Sequence, residues 1–482
     1  MSEDRQHIGL TLAVLAVGAL AFSLLQTMVA PALPDIQREL HTSTTAVTWV
    51  VTVYLLSASV ATPIIGRLGD MLGKERVLVG VLVVLAAGTL VSALSTSLGM
   101  LVPGRAVQGA GGAIFPLSFG IIRDEFPPAR VGAGIGLISA TFGVGGGGGL
   151  VLAGVIVEHL DYTWIFWLAL VMIAAATVAA RAFVPESPVK TPARLDLVGA
   201  AGLAVALVCL LLGISEGGTW GWGSARVLGL LAAGAAVLVL WARYEVAAAQ
   251  PLVDMRMMRL RGVWTTNVTS LFVGFGMFGA YLLLPRLVQT PAAAGFGFGA
   301  SVSEAGLFLL PSAAAMLFAG PAAGAPGARL GARVPLLGGV VIAMLSFVML
   351  AVAHGQRWEI YVASGLNGIG IGLSYAAIAT LIVEAVPQAQ TGVATGMNTI
   401  MRTVGAALGA QIAASVVAAH ARPGGLPAES GYTEAFWMSA LVLALGVLSA
   451  LLIPRRRRAE PVVPQGQRRL GEPRAMVTSA GR

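Results

Sequence analysis

Gly66-Arg67-Leu68-Gly69-Asp70-Met71-Leu72-Gly73-Lys74-Glu75-Arg76 is the stretch on which the fold turns. Glycines, two carboxylates and three basic residues make a tight, charged joint here, and long apolar runs lie on either side of it. The run that follows, Val77 to Ala93, is apolar on every face, as is Leu195 to Leu212 further on once past Asp196. Segments of that kind cross a bilayer as helices, which need about 20 apolar residues. The whole chain has the same character: its 482 residues are 57% hydrophobic and 11% charged, with a mean hydropathy of +0.84. An ordinary soluble domain is about a quarter charged. A β-barrel would need short segments alternating between apolar and polar residues, and continuous apolar runs exclude it. The sequence therefore predicts an all-α polytopic membrane protein.

Charged, Pro-rich and Gly-rich punctuation divides the chain into fourteen spans, beginning near residues 9, 46, 77, 99, 131, 162, 195, 226, 264, 303, 334, 358, 391 and 433. An even number places both termini on one side. The loops on that side, with the tails, carry 23 of the 30 Lys and Arg residues. The opposite loops and the spans share Arg38, Arg105, Arg226, Arg286, Arg357, Arg402 and Arg422. Cytoplasmic loops are enriched in Lys and Arg, so both termini are expected in the cytoplasm of a multi-pass plasma (inner) membrane protein. The net charge of +8 is thus explained by topology, and nucleic acid is not an expected partner. The first span, after a short polar tail, contains Gln26 and then prolines in place of a cleavage site, so it reads as retained. The one cysteine, Cys209, lies inside an apolar run and offers neither a disulfide framework nor a thiolate metal site.

The chain also repeats itself. Gly66 and Gly73 recur as Gly324 and Gly331, with Arg329 and Arg333 beside them and Ala328 in the place of Asp70. Gln108, Gly109 and Gly111 meet Asn367, Gly368 and Gly370. Asp124, Pro127, Gly132, Gly136, Gly145 and Gly149 meet Glu384, Pro387, Gly392, Gly396, Gly405 and Gly409. The offset is nearly constant across three regions. It divides the chain into a six-span unit at residues 1–190, two additional spans at 191–261, a second six-span unit at 262–454 and a basic, apolar-poor tail at 455–482. Units with an even number of spans enter the membrane from the same side, as in parallel repeats related by an axis along the membrane normal.

The loop from Gly66 to Arg76 resembles the signature loop of the major facilitator superfamily. The resemblance implies that Gly66 and Gly73 make the turn and that Asp70, Arg67 and Arg76 engage the neighbouring half in one transport state. Pro103-Gly104-Arg105-Ala106-Val107-Gln108-Gly109-Ala110-Gly111-Gly112-Ala113 is similar to the family's second signature, in which an intramembrane arginine faces the central cavity. An arginine there costs about 2.5–3.5 kcal/mol on insertion scales, so Arg105 either faces protein or water or snorkels to the outer interface. In the fifth span the glycines, including Gly145, Gly149 and Gly154, resemble the antiporter-specific motif, without its usual proline. Gly405 and Gly409 repeat them, and small-xxx-small spacing of this kind brings helix backbones together. The glycines from Gly143 also satisfy G-x-G-x-x-G, but a dinucleotide site needs a preceding strand in a soluble βαβ unit. The first span ends Leu25-Gln26-Thr27-Met28-Val29-Ala30-Pro31-Ala32-Leu33-Pro34-Asp35-Ile36 and resembles the opening signature of the fourteen-span drug:proton antiporters. In that branch an acid usually stands where Gln26 is.

These resemblances imply a major facilitator fold with two six-helix bundles, two extra central spans and fourteen transmembrane helices in all. They also imply export of amphipathic drugs, antibiotics or toxic metabolites in exchange for protons, by a monomer using the proton gradient and no cofactor. The partners are then a small organic substrate, protons and the lipid bilayer. Gln26 cannot exchange a proton, so the coupling carboxylate is expected among Asp35, Glu304 and Glu216, in that order. Asn367, Asn398 and Arg402 complete the polar residues within spans, where such groups mark pathways. An uptake permease is the alternative. An intramembrane enzyme is disfavoured because His7, His41, His159, His354 and His420 all fall outside or at the ends of spans, and no metal site is expected.

Overall fold

The computed structural model describes residues 3–187, 189–190, 194–324, 327, 330–420 and 427–454, excepting the side chains of residues 3–7 and 44. Ala328, Arg329, Arg422 and the basic tail from Arg455 lie outside the described residues. The spans are α1 (Glu3–Thr27), α2 (Thr44–Leu72), α3 (Lys74–Ala93), α4 (Leu98–Gln108 continued by Ile114–Glu125), α5 (Pro128–His159), α6 (Trp164–Phe183), α7 (Leu197–Ser215), α8 (Ala225–Ala247), α9 (Arg261–Gln289), α10 (Val302–Ala322), α11 (Arg333–Val352), α12 (Arg357–Ala385), α13 (Thr391–Ala419) and α14 (Glu429–Leu451). Among the described residues, thirteen helices are each long and apolar enough to cross a membrane. The further crossing is α4, whose two helical pieces are joined by a 3₁₀ turn at Gly109–Ala113, so that neither piece alone reaches the required length. No strand forms among the described residues. The protein is an all-helical, multi-pass membrane protein of two six-helix bundles and two extra spans.

Between helices in lipid there is no hydrophobic drive, because lipid tails are as apolar as leucine, so close backbone packing at small residues must hold the bundles. The repeated glycines supply it in equivalent places. Side chains at Gly145 and Gly149 would collide with Ser23 and Thr27 of α1, and side chains at Gly405 and Gly409 would collide with Leu271 and Phe275 of α9. Thr27 adds a hydrogen bond across the first pair, its hydroxyl donating to the Gly145 carbonyl at 2.6 Å. The turn glycines correspond as well: Gly73 and Gly331 both have positive φ, +109° and +85°, which favours glycine.

The bundles meet along two seams, α2 against α13 and α5 against α10. At one end of the molecule, the end that carries the α2–α3 turn, the seams mirror each other. Gly66 meets Gly392 while Gly132 meets Gly324, and Gly396 packs on Pro63 while Gly136 packs on Gly320 and Pro321. Each contact is the repeat image of the other, so sequence duplication has become a pseudo-two-fold axis between the bundles. The extra pair α7 and α8 pack on each other, and α7 also touches both α2 and α13, so it covers one seam.

Candidate functional site

Asp70 closes the α2–α13 seam. Its side chain is fully buried and accepts hydrogen bonds from the backbone N–H groups of Gly392 and Val393, both at 3.0 Å. Those donors belong to the first turn of α13, where N–H groups have no partner within the helix and the helix dipole favours an anion. Lys74, also fully buried, stands 3.8 Å from Asp70 and 2.7 Å from Asp124, and Ser187 donates to Asp124 at 2.5 Å. Arg123 reinforces the same closure, donating to the Thr391 hydroxyl at 2.7 Å and the Val386 carbonyl at 2.8 Å. Arg76 pairs instead with Glu186 at 2.8 Å within its own bundle, and Lys190 pairs with the same carboxylate. The hydrogen bond from Lys190, with Arg76 beside it, holds the Glu186 carboxyl below its usual range. Arg67 lies half-buried at the end of α2. Lys74 and Arg123 were not singled out by the sequence reading as site residues. The signal for Lys74 was present, since it stands four residues after Asp70, just past the turn at Gly73 that brings the two together.

Arg105 is fully buried inside the first bundle and does not line the cavity between bundles. Its guanidinium donates to the Val50 carbonyl at 3.0 Å, the Leu25 carbonyl at 3.2 Å and the Gln108 side chain at 2.6 Å, and lies 4.0 Å over the Tyr54 ring. Gln108 donates in turn to Thr89 and Ser92 of α3, each at 3.2 Å. One arginine and one glutamine thereby tie α1, α2, α3 and α4 together. The second bundle has a reduced counterpart, in which Asn367 of α12 donates to Ser346 of α11 at 3.2 Å. Asn398 donates to Asn267 at 2.8 Å, joining α13 to α9.

The cavity lies between the bundles, on the side of the latch away from the α2–α3 turn. Its larger part, about 130 Å³, is walled by both bundles and by α7, with Gln26, Phe142, Leu211, Phe278, Arg402 and Gln411 in its lining. A smaller part of about 30 Å³ shares Gln26, Leu55, Phe142, Arg402 and Thr403 as walls. Sites that bury a drug-sized ligand run to roughly 300–1,000 Å³, so this conformation must widen to admit one. A larger groove of about 520 Å³ opens beside Arg123 and Glu384 at the latched end, away from these walls.

The carboxylates named from sequence are dispersed. Asp35, on the short helix Val29–Glu39, is ion-paired with Arg38. Glu304 is exposed and caps α10: its carboxylate accepts from the Ser301 N–H at 3.1 Å and its own N–H donates to the Ser301 hydroxyl at 3.2 Å. Glu216, the C-cap of α7, follows Ser215 of the cavity wall, is 8% exposed, and has no basic residue within ion-pair distance among the described residues. Burial pushes its carboxyl above the usual range. Gly154 packs against Ser303 at the far end of the α5–α10 seam.

Two pseudo-symmetric six-helix bundles closed by such a latch agree with what the comparison with known families shows, and the chain belongs to one of these families. The model of the Major Facilitator Superfamily matches residues 15–410 and 297–478. Among individual proteins, the chain is 34% identical over 82% of its length to an uncharacterised MFS-type transporter of Mycobacterium tuberculosis, and spans 57% of that relative's length. It is 30% identical over 80% of its length to the tetracenomycin C resistance and export protein of Streptomyces glaucescens, of which it covers 71%. Among solved structures, the human organic anion transporter MFSD10 shares the fold, with a TM-score of 0.65, 17% identity and coverage of 92% of this chain and 99% of that one.

Proposed function

We propose that this protein is a secondary active exporter, not an enzyme, that moves amphipathic drugs, antibiotics or toxic metabolites out across the plasma membrane in exchange for protons. The observation that carries the reading is the placement of latch and cavity: Asp70 caps the start of α13 across the seam, and the Gln26–Arg402 cavity lies on the far side of that closure. Two bundles, 1–190 and 262–454, rock about the cavity while the pair in 191–261 rides on the α2–α13 seam. The excess of Lys and Arg on the loops at the latched end supports a cytoplasmic position for that end and for both termini, and with it the reading of the present conformation as closed inward. The export activity of the Streptomyces relative supports the outward direction.

Glu216 is the proton carrier that the geometry favours. Asp35 is neutralised by Arg38 and Glu304 serves as a helix cap, whereas Glu216 is buried next to the cavity wall without a basic partner among the described residues. No cofactor is needed beyond the gradient. The test is uptake of amphipathic aromatic compounds into inverted vesicles with an imposed pH gradient. Gradient-dependent accumulation that is lost in Glu216→Gln supports the reading. Accumulation in right-side-out vesicles instead would make the protein an uptake permease, and indifference to the gradient would exclude proton exchange.

A further inference from the structure

We infer that the cavity between the bundles is an anion site, and that the preferred substrates are aromatic molecules bearing a carboxylate or comparable acidic group, held by Arg402; this deepens the export reading and rests on it for the word substrate. Arg402 is the one charged residue in the walls of both parts of the cavity, among the described residues. Its guanidinium stands 4.7 Å from the centre of the Phe142 ring and 4.7 Å from that of Tyr375, and no carboxylate lies within ion-pair distance among the described residues. Phe142 is the residue that the repeat offset places opposite Arg402. The axis relating the bundles therefore has a ring on one side and a cation on the other.

Two aromatic faces hold the guanidinium, but they do not neutralise it. Cation–π attraction is a fraction of what a buried carboxylate supplies, and a charge taken out of water without a counter-charge is costly. Arg105 shows what a buried arginine with a structural role looks like in this same protein, with backbone carbonyls and a glutamine accepting from it. Arg402 has no hydrogen bond of that kind among the described contacts, only rings and open space. Gln26, across the cavity in the other bundle, contributes a buried side-chain oxygen that has no hydrogen-bond donor. An acidic aromatic ligand satisfies all of these walls together. Its anion pairs with Arg402 in a setting where charge-assisted bonds are strong, its rings stack on Phe142 and Phe278, and a hydroxyl or N–H donates to Gln26. A cationic drug would meet only repulsion from Arg402.

Three fluorescent probes of one scaffold test the inference: dansylglycine (anionic), dansylglycinamide (neutral) and dansylcadaverine (cationic). Each is titrated against the full chain in phosphatidylcholine nanodiscs, with empty discs as background. Wild-type protein is expected to bind dansylglycine roughly tenfold or more tightly than the amide, with dansylcadaverine weakest. Arg402→Gln should bind acid and amide within about twofold of each other while its affinity for the amide stays near wild type, which also shows that the variant is folded. Arg402→Lys should keep part of the preference, since it keeps the charge without the planar fork. Equal binding of acid and amide by the wild type, a preference that survives Arg402→Gln, or no dansylglycine binding above empty discs each overturns the inference. These titrations need neither a gradient nor a direction of transport. An anion preference without vesicle transport would remove the export reading alone, and vesicle transport without an anion preference would remove this inference alone.

Discussion

Arg105 and Arg402 are both buried arginines without carboxylates beside them, and their surroundings assign them opposite duties. Arg105 satisfies two carbonyls and one amide oxygen across three helices, bonds that as charge-assisted contacts contribute about 1.5–3 kcal/mol each. Arg105→Ala is therefore expected to lower the thermal stability of purified protein and abolish vesicle transport. Arg105→Lys should recover part of the stability and little transport, because an ammonium cannot reach both Val50 and Gln108 with the fork geometry of a guanidinium. An alanine variant with wild-type stability would contradict the network. Glu216 gives a residue-scale prediction in pH. Its carboxyl titrates above the usual range because burial disfavours the charge. Below the ordinary carboxylate range the folded and unfolded chains are both protonated there, and the group makes no pH-dependent contribution to stability. As pH rises through the raised folded value, the wild type must either ionise a buried acid or stay protonated against the solution. Glu216→Gln should thus match wild-type thermal stability at about pH 4 and exceed it increasingly towards neutrality. A stability difference that does not change with pH would count against a buried, unpaired Glu216.

At the scale of helices, the two seams depend on atoms that are not there. A Cβ at Gly66 would lie 2.8 Å from the carbonyl carbon of Gly392, and one at Gly136 would lie 2.6 Å from that of Gly320. Both contacts are backbone against backbone, so no side chain can swing aside to relieve them. Gly66→Val and Gly136→Val are each expected to block closure of the latched end and reduce transport roughly tenfold or more at matched membrane levels. Gly80→Val is the control, since a Cβ there has nothing within 4 Å, and its transport should equal wild type. Equal losses in all three would point to general helix damage instead of seam closure.

Across the whole molecule, the role proposed for the latch is to set which end is open. Replacing Asp70 by Asn keeps volume, removes the charge facing the start of α13 and leaves Lys74 with Asp124 as its remaining carboxylate among the described partners. Exchanging charge-assisted bonds for neutral ones weakens the closed arrangement by about 1–3 kcal/mol, enough to move a balanced population several-fold. The check uses Thr403→Cys, a cavity position, in a background where Cys209 is serine. Labelling by a membrane-impermeant maleimide from the far side should fall in Asp70→Asn and turnover should slow, with membrane levels unchanged. Unaltered labelling would reduce Asp70 to a residue of the turn.

Much of the architecture is legible in the amino-acid sequence itself. Apolar runs of span length specify crossings, because in lipid every backbone group must be satisfied within its own helix. The constant offset of glycines and prolines specified the repeat, because a glycine that admits a backbone contact in one unit must recur where the second unit makes its image. The joint from Gly66 to Arg76 announced the turn and its acid. Which polar residues meet was not legible. Lipid and neighbouring helices are equally apolar, so a span that is apolar on every face carries no periodic mark of the side that faces its neighbour. Asp35 sits on a motif yet is paired to Arg38, while Glu216 sits on none and lies buried beside the cavity. Arg105 and Arg402 look alike as lone arginines in apolar runs. Tertiary packing alone surrounds the first with acceptors and leaves the second between two rings, because those partners come from helices distant in sequence that only the pseudo-two-fold assembly brings together.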